Sequence, residues 1–199
     1  MMDRETLATI TSLRILIPLI LILCAVAIFL KKVQTDQSAN MERKLPVKLF
    51  TAVLLGIYLL IYIHLTFTFR HPTKKPHINL MPLWSYKEAF QLSPFKIARL
   101  GLARQILMNI LLTVPVGLLV PIVLDRTKHA YIKTAIIVLL LSVLTEGLQY
   151  FTHLGLCETD DLLNNLIGCL IGIGILTVGN QIINRKQKNN SSDNSKNIK

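Results

Sequence analysis

Apolar residues run in five long stretches along this chain, each closed by charged or turn-forming residues. About 20 predominantly apolar residues cross the hydrocarbon core of a bilayer as a helix. The first stretch, residues 13–30, stops at Lys31-Lys32. Its A-x-A sequence, Ala25-Val26-Ala27, lies inside the apolar run, so the segment reads as an uncleaved anchor rather than a cleaved signal peptide. The second, 49–69, is closed by Arg70. The third, 106–124, carries Asn109, Pro115, Gly117 and Pro121, which a membrane helix tolerates where neighbours satisfy the freed carbonyls. The fourth, 132–151, holds Glu146 and Gln149 near its end, and the fifth, 162–183, starts just after Asp160-Asp161. The pattern predicts an all-α, polytopic membrane helix bundle of five transmembrane helices. It divides into an N-terminal two-span region (1–75), a three-span domain (76–184) and a disordered basic and polar tail (185–199), whose Lys, Asn and Ser predict a solvated end.

Composition agrees with that class. The chain is 52% apolar and 17% charged, against roughly 45–50% and about 25% in soluble domains. Its 22 Lys and Arg exceed 11 Asp and Glu, a net charge of +11. Between apolar spans such an excess reflects the positive-inside bias and attraction to anionic lipid. No basic amphipathic helix or aromatic-studded strand is present to bind nucleic acid. With the N-terminus outside, the inner segments hold thirteen Lys and Arg and the outer ones nine, seven of them within 70–104. The connection 152–161 has three acids and no Lys or Arg, which marks it as external. The reading is a multi-pass cell-membrane protein with an outside N-terminus and a cytoplasmic C-terminus.

Chemistry enters where polar residues sit within the spans. The zigzag of the chain brings the start of span three, the end of span four and the start of span five to one side. At about 1.5 Å rise per residue, Asn109 lies about 5 Å inside its end, and Glu146, Asn164 and Asn165 lie at similar depths. An acid inside a span costs about 2.5–3.5 kcal/mol on insertion scales and marks a site or an internal pairing. Gln149 shares the helix face of Glu146, with Ser142 one turn earlier. Glu146 is therefore part of a ligand or proton site, or it snorkels toward the headgroups or pairs with Arg70, Arg99 or Arg104 to lock the bundle. Asp161, Asn165, Gly168 and Gly172 share another face, and Gly168-x-x-x-Gly172 suits close helix packing. Asp160 and Asp161 also stand where acids complement a helix dipole. In the long connection, Asn79-Leu80-Met81-Pro82-Leu83-Trp84 is an apolar patch suited to the interfacial belt or to a lid over the polar layer. Cys24, Cys157 and Cys169 form no CxxC pair, and the five histidines show no ligand spacing, so no metal and no cofactor is expected. No GxSxG, P-loop or internal repeat is visible.

Four ordered blocks resemble the VanZ-like family: Asn79-Leu-Met-Pro82; Asn109-x5-Pro115-x-Gly117-x3-Pro121; Ser142-x3-Glu146-x2-Gln149; and Asp160-Asp161-x3-Asn165-x2-Gly168. The resemblance spans residues 79–174. It implies a bacterial integral membrane protein, in a family whose namesake is associated with low-level resistance to the glycopeptide teicoplanin. Two departures stand out. The Arg that members often carry before an Asp-x-Asp-Asp run is missing, with Glu158 at the first acid, and Thr113 replaces a common aromatic. The expected ligand-binding residues are Asn79, Pro82, Asn109, Glu146, Gln149, Asp160, Asp161 and Asn165. Expected partners are membrane lipid and a glycopeptide or lipid-linked cell-wall precursor at the outer leaflet. An enzyme using the carboxylates as acid and base is the alternative, without a recognisable nucleophile or metal set. A small transporter ranks behind it, and a purely structural role for the polar layer, as interhelical glue, is also open.

Overall fold

The computed structural model describes residues 17–19, 21–23, 25–26, 44–68, 78–90, 96–124, 128–153 and 157–196. The elements are α1 (Lys44–Thr68), β1 (Ile78–Asn79), α2 (Trp84–Phe90), α3 (Lys96–Val123), α4 (Lys128–Thr152), β2 (Cys157–Glu158) and α5 (Thr159–Lys196). Among the described residues four helices are long and apolar enough to cross a membrane: Pro46–Phe67, Gly101–Val123, His129–Thr152 and Thr159–Ile182. The first of the five expected spans falls mostly outside the described residues. Those of it that are described are helical, and two, Leu19 and Val26, are 2% and 0% exposed in the core.

The third span is the axis of the bundle. Inside it 67% of the span is buried, against 22%, 22% and 33% in the other three. From Leu112 to Ile122 every residue of α3 is buried. Two apolar clusters form around it. One joins Leu19, Tyr58, Tyr62, Val116 and Val138; the other joins Val26, Val114, Leu118 and Leu176. Pro115 and Pro121 lie within the continuous helix, each removing one backbone donor. The buried Tyr58 hydroxyl donates to the Leu112 carbonyl near the Pro115 turn, which gives both polar groups a partner in a dry interior.

The closest approach is between α3 and α5. A methyl group on Gly168 would overlap the carbonyl oxygen of Ile110, one on Gly172 that of Val114, and one on Gly117 that of Cys169. Small residues at these positions let two backbones touch, the usual means of tight packing where lipid gives no hydrophobic drive. This crossing sets the register that carries the first turns of α5 to the start of α3.

Of the long connection between the second and third expected spans, residues 78–90 and 96–105 are described. It contains β1, the short α2 and the first turns of α3. β1 pairs in parallel with β2, Ile78 opposite Cys157 and Asn79 opposite Glu158, a small addition to an otherwise helical fold. Past Asn184, where a solvated end was expected, α5 continues as helix to Lys196. Extending an anchored helix needs no new nucleus, so weak helix formers are carried along.

Candidate functional site

At the end of the bundle where α3 starts, α4 ends and α5 begins, a cover made of β1, the turn after it and α2 is tied down by the first turn of α5. Leu83 adopts a left-handed φ of 60°, a conformation costing about 1–2 kcal/mol for a residue with a Cβ. The turn is held on one carboxylate. Asp160 accepts the Leu83 N–H at 2.5 Å on Oδ1, and the Ser85 N–H at 2.8 Å and Ser85 hydroxyl at 2.6 Å on Oδ2. One turn further along α5, Asn164 accepts the Tyr86 hydroxyl. Burial, and next the Asp160 charge, push the Tyr86 hydroxyl above its ordinary range, so it stays a donor.

Beneath this cover lies a layer of buried polar groups. Glu146, Glu158, Asp160 and Asp161 are 0–3% exposed. Glu146 accepts the Glu158 N–H at 3.0 Å, which ties the end of α4 to β2. The Gln105 amide of α3 donates to Glu158 Oε2 at 3.2 Å and to Asp161 Oδ1 at 3.4 Å. Asn165 donates to the Ser142 hydroxyl at 2.9 Å, joining α5 to α4. Three helices and a strand thus share one hydrogen-bonded floor.

Not every group is satisfied by the chain itself. Gln149 is 0% exposed, yet neither Nε2 nor Oε1 has a hydrogen-bond partner within the protein; Asn109 Nδ2 and Trp84 Nε1 share that state. Leaving a buried polar group without a hydrogen bond costs about 1–3 kcal/mol, so a water or a polar ligand group reaching it would be stabilised there. Beside the layer, Cys157 is half-buried and free. Burial first, and then the charges of Glu146, Asp161 and Glu158, push its thiol upward, so it is neutral at physiological pH.

The expected site residues divide into two groups. Glu146, Gln149, Asp160, Asp161 and Asn165 are all buried at this end, and Asn109 is half-buried on the facing helix α3. Asn79 stands in the cover, its Oδ1 accepting the Met81 N–H at 3.1 Å, and Pro82 is exposed in the turn. Asp160 directs its carboxylate to the cover rather than to the interior of the layer. Sequence reasoning did not single out Ser85, Tyr86 and Gln105, and it took Glu158 only as a departure from a motif. The side-chain partners of Ser85, Tyr86 and Gln105 lie 53 to 78 residues away, beyond any local pattern. Of the arginines considered for Glu146, Arg70 and the Arg99 side chain lie outside the described residues, and Arg104 is exposed. Among the described residues no three His, Cys, Asp or Glu side chains form a group able to hold a metal ion.

These features define a class: a polytopic membrane helix bundle with a buried, acid-rich polar layer at one end, closed by a short cover. The chain belongs to the VanZ/LLP1 family, whose model matches residues 15–180. It is similar to Protein VanZ of Enterococcus faecium, 24% identical over 141 residues, 70% of this chain and 81% of that protein. No solved structure matches the chain.

Proposed function

We propose that this protein binds an amphiphile, such as a lipid-linked cell-wall precursor or an acylated glycopeptide, at the polar layer, and that this links it to teicoplanin resistance. The observation carrying the reading is Gln149, fully buried with both amide atoms unpartnered, one turn from Glu146 and in the layer with Asp161 and Asn165. A site at headgroup depth suits a ligand that keeps its tail in the bilayer. The link to a glycopeptide rests on the family resemblance. In this reading the layer faces outward and the C-terminus is cytoplasmic, as the absence of Lys and Arg from 152–161 supports.

The direct test is resistance. Cells expressing Glu146→Gln or Asn165→Ala at wild-type membrane level lose protection against teicoplanin, read as a minimum inhibitory concentration near that of cells lacking the protein. Full protection by both variants sinks the proposed site.

A further inference from the structure

The polar layer divides into groups that the chain itself uses and groups that it leaves over. Its acids are used. Asp160 holds the turn that opens α2, Glu146 accepts the Glu158 N–H, and Glu158 and Asp161 both accept from Gln105. Among the described residues, the buried side-chain atoms left without a hydrogen bond include one charged-group atom, the second oxygen of Asp161. The others are uncharged: both amide atoms of Gln149, Nδ2 of Asn109, Nε1 of Trp84 and the hydroxyl of Thr66 on α1.

Three of these leftover groups reach the layer from three directions. Gln105, Asn109 and Thr113 are spaced four apart and share a face of α3. The first donates to Asp161, and a Cβ on Gly168 would overlap the hydroxyl of the third. Asn109, midway between them, therefore faces the stretch of α5 that carries Asn165. Asn165 in turn donates to Ser142 on α4, and Gln149 stands two turns along that helix face, past Glu146. Trp84 comes from the cover, between the two residues whose amides Asp160 holds.

What these groups lack defines what fits them. Amide and indole N–H groups need acceptors, the Gln149 Oε1 needs a donor, and none of the three side chains carries a charge. A hydroxyl supplies both functions. An ionised headgroup would need a counter-charge that the leftover groups do not supply, and burying an unpaired charge costs far more than burying a neutral polar group. Such sites discriminate sharply, because an analogue without the matching atoms leaves the buried groups unpaired again. Gln149 is 0% exposed, so a ligand is admitted by movement at this end. The short cover there is tied on by side chains of α5 rather than built into a span.

We propose that the site selects an amphiphile whose headgroup is uncharged and rich in hydroxyl groups, as a sugar is, with Gln149, Asn109 and Trp84 as the groups that recognise it. This deepens the amphiphile-binding reading and rests on it. The same chemistry is presented by a membrane glycolipid or by a glycosylated amphiphile from outside the bilayer.

The test uses the full-length protein in a polyoxyethylene detergent, whose headgroup carries no sugar. Octyl glucoside, octylamine and octyl phosphate are titrated separately, with binding followed by calorimetry and by the fluorescence of Trp84, the chain's single tryptophan. The expected result is saturable binding of octyl glucoside, about tenfold or more tighter than of either charged probe and weakened about tenfold in both Gln149→Leu and Asn109→Leu. Without ligand, Gln149→Leu is expected to raise the midpoint of thermal unfolding by about 2–4 °C, because an apolar group of similar size replaces an unsatisfied amide. A purely structural amide gives the opposite sign. A midpoint at or below wild type, or equal or tighter binding of a charged probe, overturns sugar selection while leaving amphiphile binding standing. No saturable binding of any probe overturns both. Competition then separates the sources: a glucosyl diacylglycerol displaces octyl glucoside if the headgroup belongs to a membrane lipid. Failure to displace it, with octyl glucoside still selected, assigns the sugar to an amphiphile from outside the bilayer.

Discussion

Asp160 uses a single carboxylate to fix three donors from the turn that opens α2. Hydrogen bonds to a charged group contribute about 1.5–3 kcal/mol each but do not add fully. The Asp160→Ala variant is therefore expected to undock the cover by about 3 kcal/mol, which accelerates amide exchange at Leu83 and Ser85 about a hundredfold, with the α3 core protected as before. Unchanged exchange at both amides would show that the cover is held by something else. Cys157 offers a probe of the same layer, because its thiol is raised partly by the Glu146 charge. Removing that charge in Glu146→Gln lowers the thiol pKa and raises the thiolate fraction at any given pH, so alkylation of Cys157 by iodoacetamide at pH 8 speeds up. Cys24→Ser and Cys169→Ala remove the competing thiols. An unchanged or slower rate would mean that the Glu146 charge is not felt at Cys157. At this scale the sequence was informative for residues carried by a helix, Glu146, Gln149 and Asn165, because depth follows from rise per residue. It was silent on Glu158, whose burial depends on a strand pairing with residues nearly eighty positions earlier.

Among the elements, the α3–α5 contact organises the rest. Its glycines lie where added atoms meet backbone carbonyls, which cannot rotate away as a side chain does. Gly168→Leu and Gly172→Val are expected to lower stability by about 1–3 kcal/mol or more through overpacking, read as a lower midpoint of thermal unfolding in detergent. Gly101→Ala and Gly174→Ala, where an added Cβ meets nothing within 4 Å, keep the midpoint at or above wild type. A uniform response of all four would remove the argument for a specific crossing. The Gly-x-x-x-Gly spacing made this contact legible from the chain alone. Its partner on α3 was not legible, since three small or bent positions, Pro115, Gly117 and Pro121, offered equally good candidates. The parallel β1–β2 pair escaped notice for a different reason: two residues are too short to carry any alternation.

Across the whole molecule, the covered end also carries a band of exposed apolar side chains. Leu80, Met81 and Phe90 of the cover are 62–78% exposed, and Phe151 at the end of α4 is 78% exposed. Fully burying one such side chain is worth roughly 1.5–3 kcal/mol, so water is an unfavourable neighbour for all of them together. Phe151 lies where the α4 span ends and Asp160 holds the cover to the start of the α5 span, the level at which spans of this length would leave the hydrocarbon for the headgroups. A cover half-sunk there would open sideways toward lipid, a natural entry for a ligand that never leaves the bilayer. Trp84 reports its depth, being the one tryptophan and the residue flanked by the two amides that Asp160 holds. In proteoliposomes, lipids brominated close to the headgroup are expected to quench Trp84 more strongly than lipids brominated near the chain ends. Loosening the cover with Asp160→Ala is expected to shift that depth profile. Equal quenching at all depths, or none, would place the cover clear of the membrane, and a lipid-borne ligand would then need another way in.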